Sequence, residues 1–265
     1  MFFILSNLVD SHAHLSGEQF DPDRDQVIQR AFKEGIAAVL CPGEITESHN
    51  LDTTLAIAEK YINIIAAAGV HPHQAKDFSP DNLAKIAELA QAKKIYAVGE
   101  IGLDYHYNFS PPEIQRDVFH RQLRLAQGLE LPVIIHSRNA RDDVMAGLEI
   151  ANFRRGGVLH CFTEDWSFAK HMIAKGFLIS FSGILTFPNA DDLREVAGRV
   201  PLEKLLVETD SPYLVPAPFR GKIQRNEPVY VKEVAHWLAD LKNVSMEHIA
   251  EVTKQNFESL FQIAI

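Results

Sequence analysis

Five short stretches of the chain carry residues able to hold a divalent cation, and each closes an apolar run. They are His12-Ala13-His14, Glu100 within Gly99-Glu100-Ile101-Gly102-Leu103-Asp104, His136 after Val133-Ile134-Ile135, His160 after Gly157-Val158-Leu159, and Glu208-Thr209-Asp210 after Leu205-Leu206-Val207. In extended backbone, residues two apart point the same way, so His12 and His14 can grip one ion with Asp10 behind them, and Glu208 and Asp210 share a face. Imidazole nitrogen with carboxylate oxygen suits Zn, Mn, Co or Ni and, with enough waters, Mg. No thiolate belongs to the set, which argues against a closed structural zinc site. Each stretch alone is weak, because a strand-end histidine or glutamate is commonly just solvated or hydrogen-bonded. The weight lies in their combination.

The elements that must bring these residues together read as one repeated rhythm. Candidate strands are Leu8–Asp10, Ala37–Cys41, Ile64–Val70, Ile95–Glu100, Val133–His136, Gly157–Cys161, Leu178–Ser182 and Leu205–Thr209. Helical spacing fills the intervals: Asp23–Lys33, Thr46–Tyr61, Asp81–Lys93, Pro112–Glu130, Ala140–Ile150, Trp166–Lys175, Asp191–Arg199 and Pro228–Lys242, with a last helix, Met246–Phe261, added at the periphery. Ser79-Pro80-Asp81 has the form of a helix start, and Gly35 and Gly176 that of helix ends. Eight such alternations without a polar linker predict a single (β/α)8 barrel domain over residues 1–265. The alternative, a doubly wound sheet, calls for a glycine-rich first turn that this sequence lacks. A barrel gathers the C-terminal ends of its strands into one crater, where the five stretches converge.

Other residues are sorted by this frame. His71, in Gly69-Val70-His71-Pro72-His73, sits at the same end and is a candidate substrate contact or partner of the ligands. His49, His120, His171, His236 and His248 fall in predicted helices. Cys161 follows His160 by one residue, so alternation faces it away from the site and into packing. The two cysteines form no CxxC pair, and the opening Met-Phe-Phe-Ile-Leu lacks a basic flank, reading as a first strand rather than a signal peptide. A cytoplasmic protein without a membrane span and without an evident obligatory protein partner is expected. The formal net charge of −9 argues against broad electrostatic wrapping of duplex DNA. It does not argue against hydrolysis of a phosphate ester, since acidic ligands are neutralised by the cations they hold.

At these motifs the sequence resembles the TatD-related deoxyribonuclease family, particularly its YcfH-type bacterial branch. The resemblance rests on Val9-Asp10-Ser11-His12-Ala13-His14-Leu15, Gly69-Val70-His71-Pro72, Gly99-Glu100-Ile101-Gly102-Leu103-Asp104-Tyr105, Pro132-Val133-Ile134-Ile135-His136-Ser137-Arg138, His160-Cys161-Phe162-Thr163 and Val207-Glu208-Thr209-Asp210-Ser211-Pro212-Tyr213-Leu214. It implies an amidohydrolase-type barrel holding two divalent cations. His12 and His14 would bind one ion, His136 and His160 would serve the other, and Glu100 would bridge them. Asp210 would bind the first ion and orient or deprotonate the attacking water, and Glu208 would hold a further ion, as in some relatives. The run from Phe219 to Pro228 resembles a family motif written R-G-K-R-N-E-P, here about two residues longer.

Two ions roughly 3.5–4 Å apart suit an in-line displacement at phosphorus. Arg138, Lys222 and Arg225 are then candidates for phosphate oxygens. The expected function is a deoxyribonuclease acting on accessible or single-stranded DNA ends through a metal-activated water. The alternatives are an amide, ester, lactone or aminoacyl-tRNA hydrolase on the same site, or a metal-loaded nucleic-acid-binding module with little turnover.

Overall fold

The computed structural model describes residues 7–265; the Met1–Leu5 run read above as a strand lies outside them. Eight strands, β1 (Leu8–Asp10), β2 (Ile36–Glu44), β3 (Ile64–Gly69), β4 (Ala97–Asp104), β5 (Val133–Arg138), β6 (Gly157–Leu159), β7 (Phe177–Phe181) and β8 (Leu205–Val207), pair in parallel in chain order. The first and last strands meet just past their ends. There Ser11 N–H donates to Val207 O at 2.9 Å, Asp210 N–H to His12 O at 2.9 Å and His14 N–H to Ser211 O at 2.8 Å. A parallel bridge joins Ala13 and Ser211. The result is a nearly closed (β/α)8 barrel; a doubly wound sheet would reverse its strand order.

The helices are α1 (Arg24–Lys33), α2 (Ser48–Lys60), α3 (Pro80–Gln91), α4 (Pro112–Leu129), α5 (Arg141–Ile150), α6 (Trp166–Ala174), α7 (Asp191–Arg199), α8 (Val231–Lys242) and α9 (Met246–Phe261). Their starts are fixed locally: Asp165 Oδ1 accepts Phe168 N–H ahead of α6, and Ser245 Oγ accepts His248 N–H ahead of α9. Gly35 and Gly176, at φ of 91° and 89°, turn the chain from helix into strand in the left-handed region. Among the described residues no helix is long and apolar enough to cross a membrane.

Strands covered on both faces carry nearly continuous apolar runs, as in Ile64-Ile65-Ala66-Ala67-Ala68. One set of alternate side chains packs outward against the helices. The other set (Val9, Ala38, Leu40, Ile65, Ala67, Ala97, Ile134, Val158, Leu178 and Leu206) packs inward near the strand starts. Phe257 and Phe261 of α9 join this inner cluster, and Asn256 Nδ2 donates to Leu202 O and Leu205 O at the entry to β8. The last helix is therefore not peripheral, as its sequence suggested, but part of the floor. Its amphipathic stripe finds an apolar partner only there.

Candidate metal centre

Strand alternation alone would aim Glu100 the wrong way. Ala97 lies with the inner cluster and Val98 with the outer one, so strict alternation sends residue 100 outward. The pairing of β4 with β5 shifts between Val98 and Ile101, after which Ile101 and Leu103 pack outward and Glu100 points into the barrel. The flanking glycines permit it. A Cβ on Gly99 would stand 2.6 Å from Ile134 Cβ, and one on Gly102, at φ 144°, would stand 2.0 Å from His136 O.

The two carboxylate oxygens of Glu100 face two separate groups of histidines. Oε2 lies 3.2 Å from His12 Nε2 and 3.7 Å from His14 Nε2. Oε1 lies 2.8 Å from His160 Nε2, 3.0 Å from His136 Nδ1 and 3.3 Å from His71 Nε2. Asp210, held at φ 54°, places Oδ1 3.3 Å from His14 Nε2 and 4.0 Å from His12 Nε2. Thus the residues expected from the sequence to ligate converge on one carboxylate at the C-terminal mouth. Three groupings there have cation-binding geometry: His12, His14 and Glu100; His12, His160 and Asp210; and His71, Glu100 and His136.

The outer partners decide which ring nitrogens are available. His160 Nδ1 lies 3.2 Å from Glu208 Oε1, so a proton donated there leaves the Nε2 lone pair on the site. His136 does the same with its nitrogens exchanged, Nε2 donating to Asp104 Oδ2 at 3.1 Å and Nδ1 facing Glu100. His71 is the opposite case. Its Nδ1 accepts His73 N–H at 3.1 Å, so the neutral ring carries its proton on Nε2 and donates to Glu100. Burial pushes the His71 ring down to about 4, which keeps it neutral. The geometry fits a partner that orients the carboxylate.

The electrostatics match a site built for cations. Burial alone would raise the Glu100 carboxyl, but the imidazoles around it, His160 foremost, outweigh it and hold it well below the usual range. His160 is desolvated too, yet Glu100 and Glu208 raise it well above an ordinary imidazole. Without metal, protons must do what cations otherwise would. His12 Nε2 and His14 Nε2 stand 3.2 Å apart, a spacing met either by one ring N–H donating to the other nitrogen or by a cation between two lone pairs. The donor set therefore fits divalent ions.

Several sequence expectations change. Glu208 Oε1 accepts Cys161 N–H at 2.7 Å as well as facing His160 Nδ1, which makes it an orienting group for His160; among the described residues its Oε2 has no hydrogen-bond partner. Cys161 does not face away, because β6 ends at Leu159 and Cys161 takes φ 44°. Its Sγ lies 3.3 Å from Ser182 Oγ, and burial, then the Asp210 and Glu208 carboxylates, hold its thiol well above the usual range. Arg225 is not free for a phosphate. It donates to both oxygens of Asp23 at 2.8 Å and to Glu227 Oε1 at 3.0 Å, with its guanidinium over Phe20. Lys222 lies exposed in a turn, and Arg138 is exposed at the end of β5.

Two carboxylates went unread in the sequence. Asp104, wholly buried, accepts from His73 Nε2 at 2.9 Å and from His136, and its other oxygen accepts the N–H groups of His106 and Tyr107. Glu44, pushed up to about 7 by burial, accepts the N–H groups of His71 and Thr46. Asp10 sits behind His12 as expected, accepting from Thr209 N–H at 2.9 Å, Thr209 Oγ1 at 2.6 Å and His12 N–H at 3.3 Å. It ties the β1 and β8 ends of the site together.

The barrel fold is shared with proteins of known structure. The sequence profile of the family described as TatD related DNase matches residues 9–262. The chain belongs to the TatD-related DNase family. The metal-dependent hydrolase YabD of Bacillus subtilis is 43% identical over 97% of this chain and 99% of its own. The Salmonella typhimurium protein named 3'-5' ssDNA/RNA exonuclease TatD is 34% identical over 97% and 99%. The crystal structure of YJJV, a TatD homologue from Escherichia coli, superposes with a TM-score of 0.90 at 32% identity, covering 98% of this chain and all of that one. The protein is a metal-dependent hydrolase of the TatD family.

Proposed function

We propose that the protein is a nuclease that hydrolyses phosphodiester bonds of DNA at accessible or single-stranded ends, with two divalent ions seated on either side of Glu100. The observation that carries this reading is the division of Glu100, Oε2 toward His12 and His14 and Oε1 toward His136 and His160. A carboxylate with separate nitrogen donors at each oxygen is arranged to bridge. When bound, such ions would supply Lewis acidity and make water a better nucleophile at neutral pH. Asp210, beside His14 and held below the usual carboxylate range despite burial, is ionised and able to take the proton of the attacking water. His71 and Asp104 fix Glu100 and His136, and Glu208 fixes His160. The Salmonella relative is named as an exonuclease of single-stranded DNA and RNA, which supports the substrate class. The two free cysteines suit a reducing, cytoplasmic setting.

The test is to strip the metal and incubate the protein with end-labelled DNA and RNA oligonucleotides, esters and lactones across Mg, Mn, Zn, Co and Ni. A nucleotide ladder growing from one end, restored by metal, is the expected result. Turnover confined to esters or lactones gives the site to carbon chemistry. Binding of strands without turnover under every metal makes it a binding module.

A further inference from the structure

A single exposed apolar side chain is ordinary, whereas exposed aromatic rings that lie together mark a place where something binds. Among the described residues three are exposed, Tyr107, Phe109 and Tyr213, and all three lie against site histidines. Tyr213 stands 6.1 Å from His14 on one side of the mouth. On the other side Tyr107 and Phe109, 49% and 57% exposed, lie parallel within 3° with ring centroids 5.6 Å apart. The His73 ring meets both edge-on, at 5.6 Å and 4.8 Å. The Arg138 guanidinium lies 4.7 Å from the Tyr107 centroid and makes no ion pair among the described residues. Asp104 fixes this loop, accepting Tyr107 N–H on one oxygen while His73 and His136 occupy the other. One buried carboxylate therefore sets both the candidate ligand His136 and the position of the exposed rings.

We propose that Tyr107, Phe109 and Arg138 form a platform on which an unpaired nucleobase of the substrate strand stacks, with Arg138 reaching an adjoining phosphate. The inference rests on the nuclease reading above and adds to it the part of the strand that is recognised. Parallel aromatic faces with a guanidinium are the chemistry that holds single strands without reading their sequence. A base within a duplex has no free face to offer, so the platform selects unpaired ends.

Metal-stripped protein is titrated with short single strands carrying 2-aminopurine at either terminus, at fixed salt, and the same strands with the terminal base removed. One terminal probe should be quenched on binding, and loss of that base should weaken binding. In the double variant Tyr107→Ala, Phe109→Ala the quenching should vanish and affinity fall roughly 5- to 150-fold, the range reported for a lost base–aromatic stack. With metal restored, KM should rise by more than kcat falls. Tyr107→Phe with Phe109→Tyr keeps both faces and should bind like the native protein; melting temperature and metal content should hold in both variants. If the alanine variant binds base-bearing and abasic ends as the native protein does, while native protein degrades the strands, the platform is wrong and the nuclease reading stands. If native protein neither binds nor degrades any strand, the nuclease reading fails and the platform with it.

Discussion

The two ends of the barrel are made from the same strands and behave as different materials. At the strand starts Val9, Ala38, Ile65, Ala97, Ile134 and Leu206 alternate regularly into an apolar floor closed by Phe257 and Phe261. At the strand ends the regularity breaks: β4 shifts register before Ile101, and Cys161 and Asp210 adopt left-handed backbone at φ 44° and 54°. Those breaks turn Glu100 and Asp210 inward and Cys161 toward the site. The floor supplies stability, and the mouth departs from regular geometry where chemistry needs it. If that division is sound, damage at one end should leave the other's property intact.

The largest effect is expected from Glu100→Ala. It removes the one carboxylate that both histidine groups share, so bound metal and activity should collapse together, beyond the ~10²–10⁴-fold typical of losing a general base. The fold should survive, as shown by circular dichroism and a cooperative melt. Metal retained at native stoichiometry would contradict the bridging role. The converse variant is Phe257→Ala in the floor, which should cost about 3–5 kcal/mol of stability, read by denaturant unfolding. Below its melting range, kcat per folded molecule and metal content should stay near native. A large drop in kcat there would dissolve the distinction between the two ends.

A smaller effect follows from protons competing with metal. His14, His136 and His160 are raised above the ordinary imidazole range by Asp210, Asp104, Glu100 and Glu208, all against their own burial. Below those raised values a cation must displace protons, so metal affinity should weaken as pH falls from above about 6.5. Calorimetry in buffers of different ionisation enthalpy should show proton release on binding, growing toward acid. Affinity that is flat with pH would mean the rings are already neutral in the metal-free protein.

Much of this was legible in the sequence where local pattern carries the information. The bounds of β1, α7 and α9 follow from apolar runs punctuated by Gly, Pro, Ser and Asn, and the ligand set follows from those runs ending in His, Glu or Asp. Strands β2, β4 and β5 extend to Glu44, Asp104 and Arg138 because pairing continues after the hydrophobic signal stops. Asp104 and Glu44 were missed because a strand-end acid looks like a surface residue until its partners, His73, His136 and the His71 N–H, are folded against it. Arg225 misled for the same reason. Nothing near it in the chain announces Asp23. The Phe109 ring gave no signal, since its exposure is a property of the fold.

The central claim is that Asp210 serves the attacking water while the histidines and Glu100 hold the metal. Asp210→Asn keeps the shape and one oxygen but cannot take a proton. Its kcat and its bound metal should be measured together on one oligonucleotide at saturating metal. The account predicts a kcat lower by ~10²–10⁴ with metal content nearly unchanged. Near-normal kcat with native metal content would show that Asp210 is not the base.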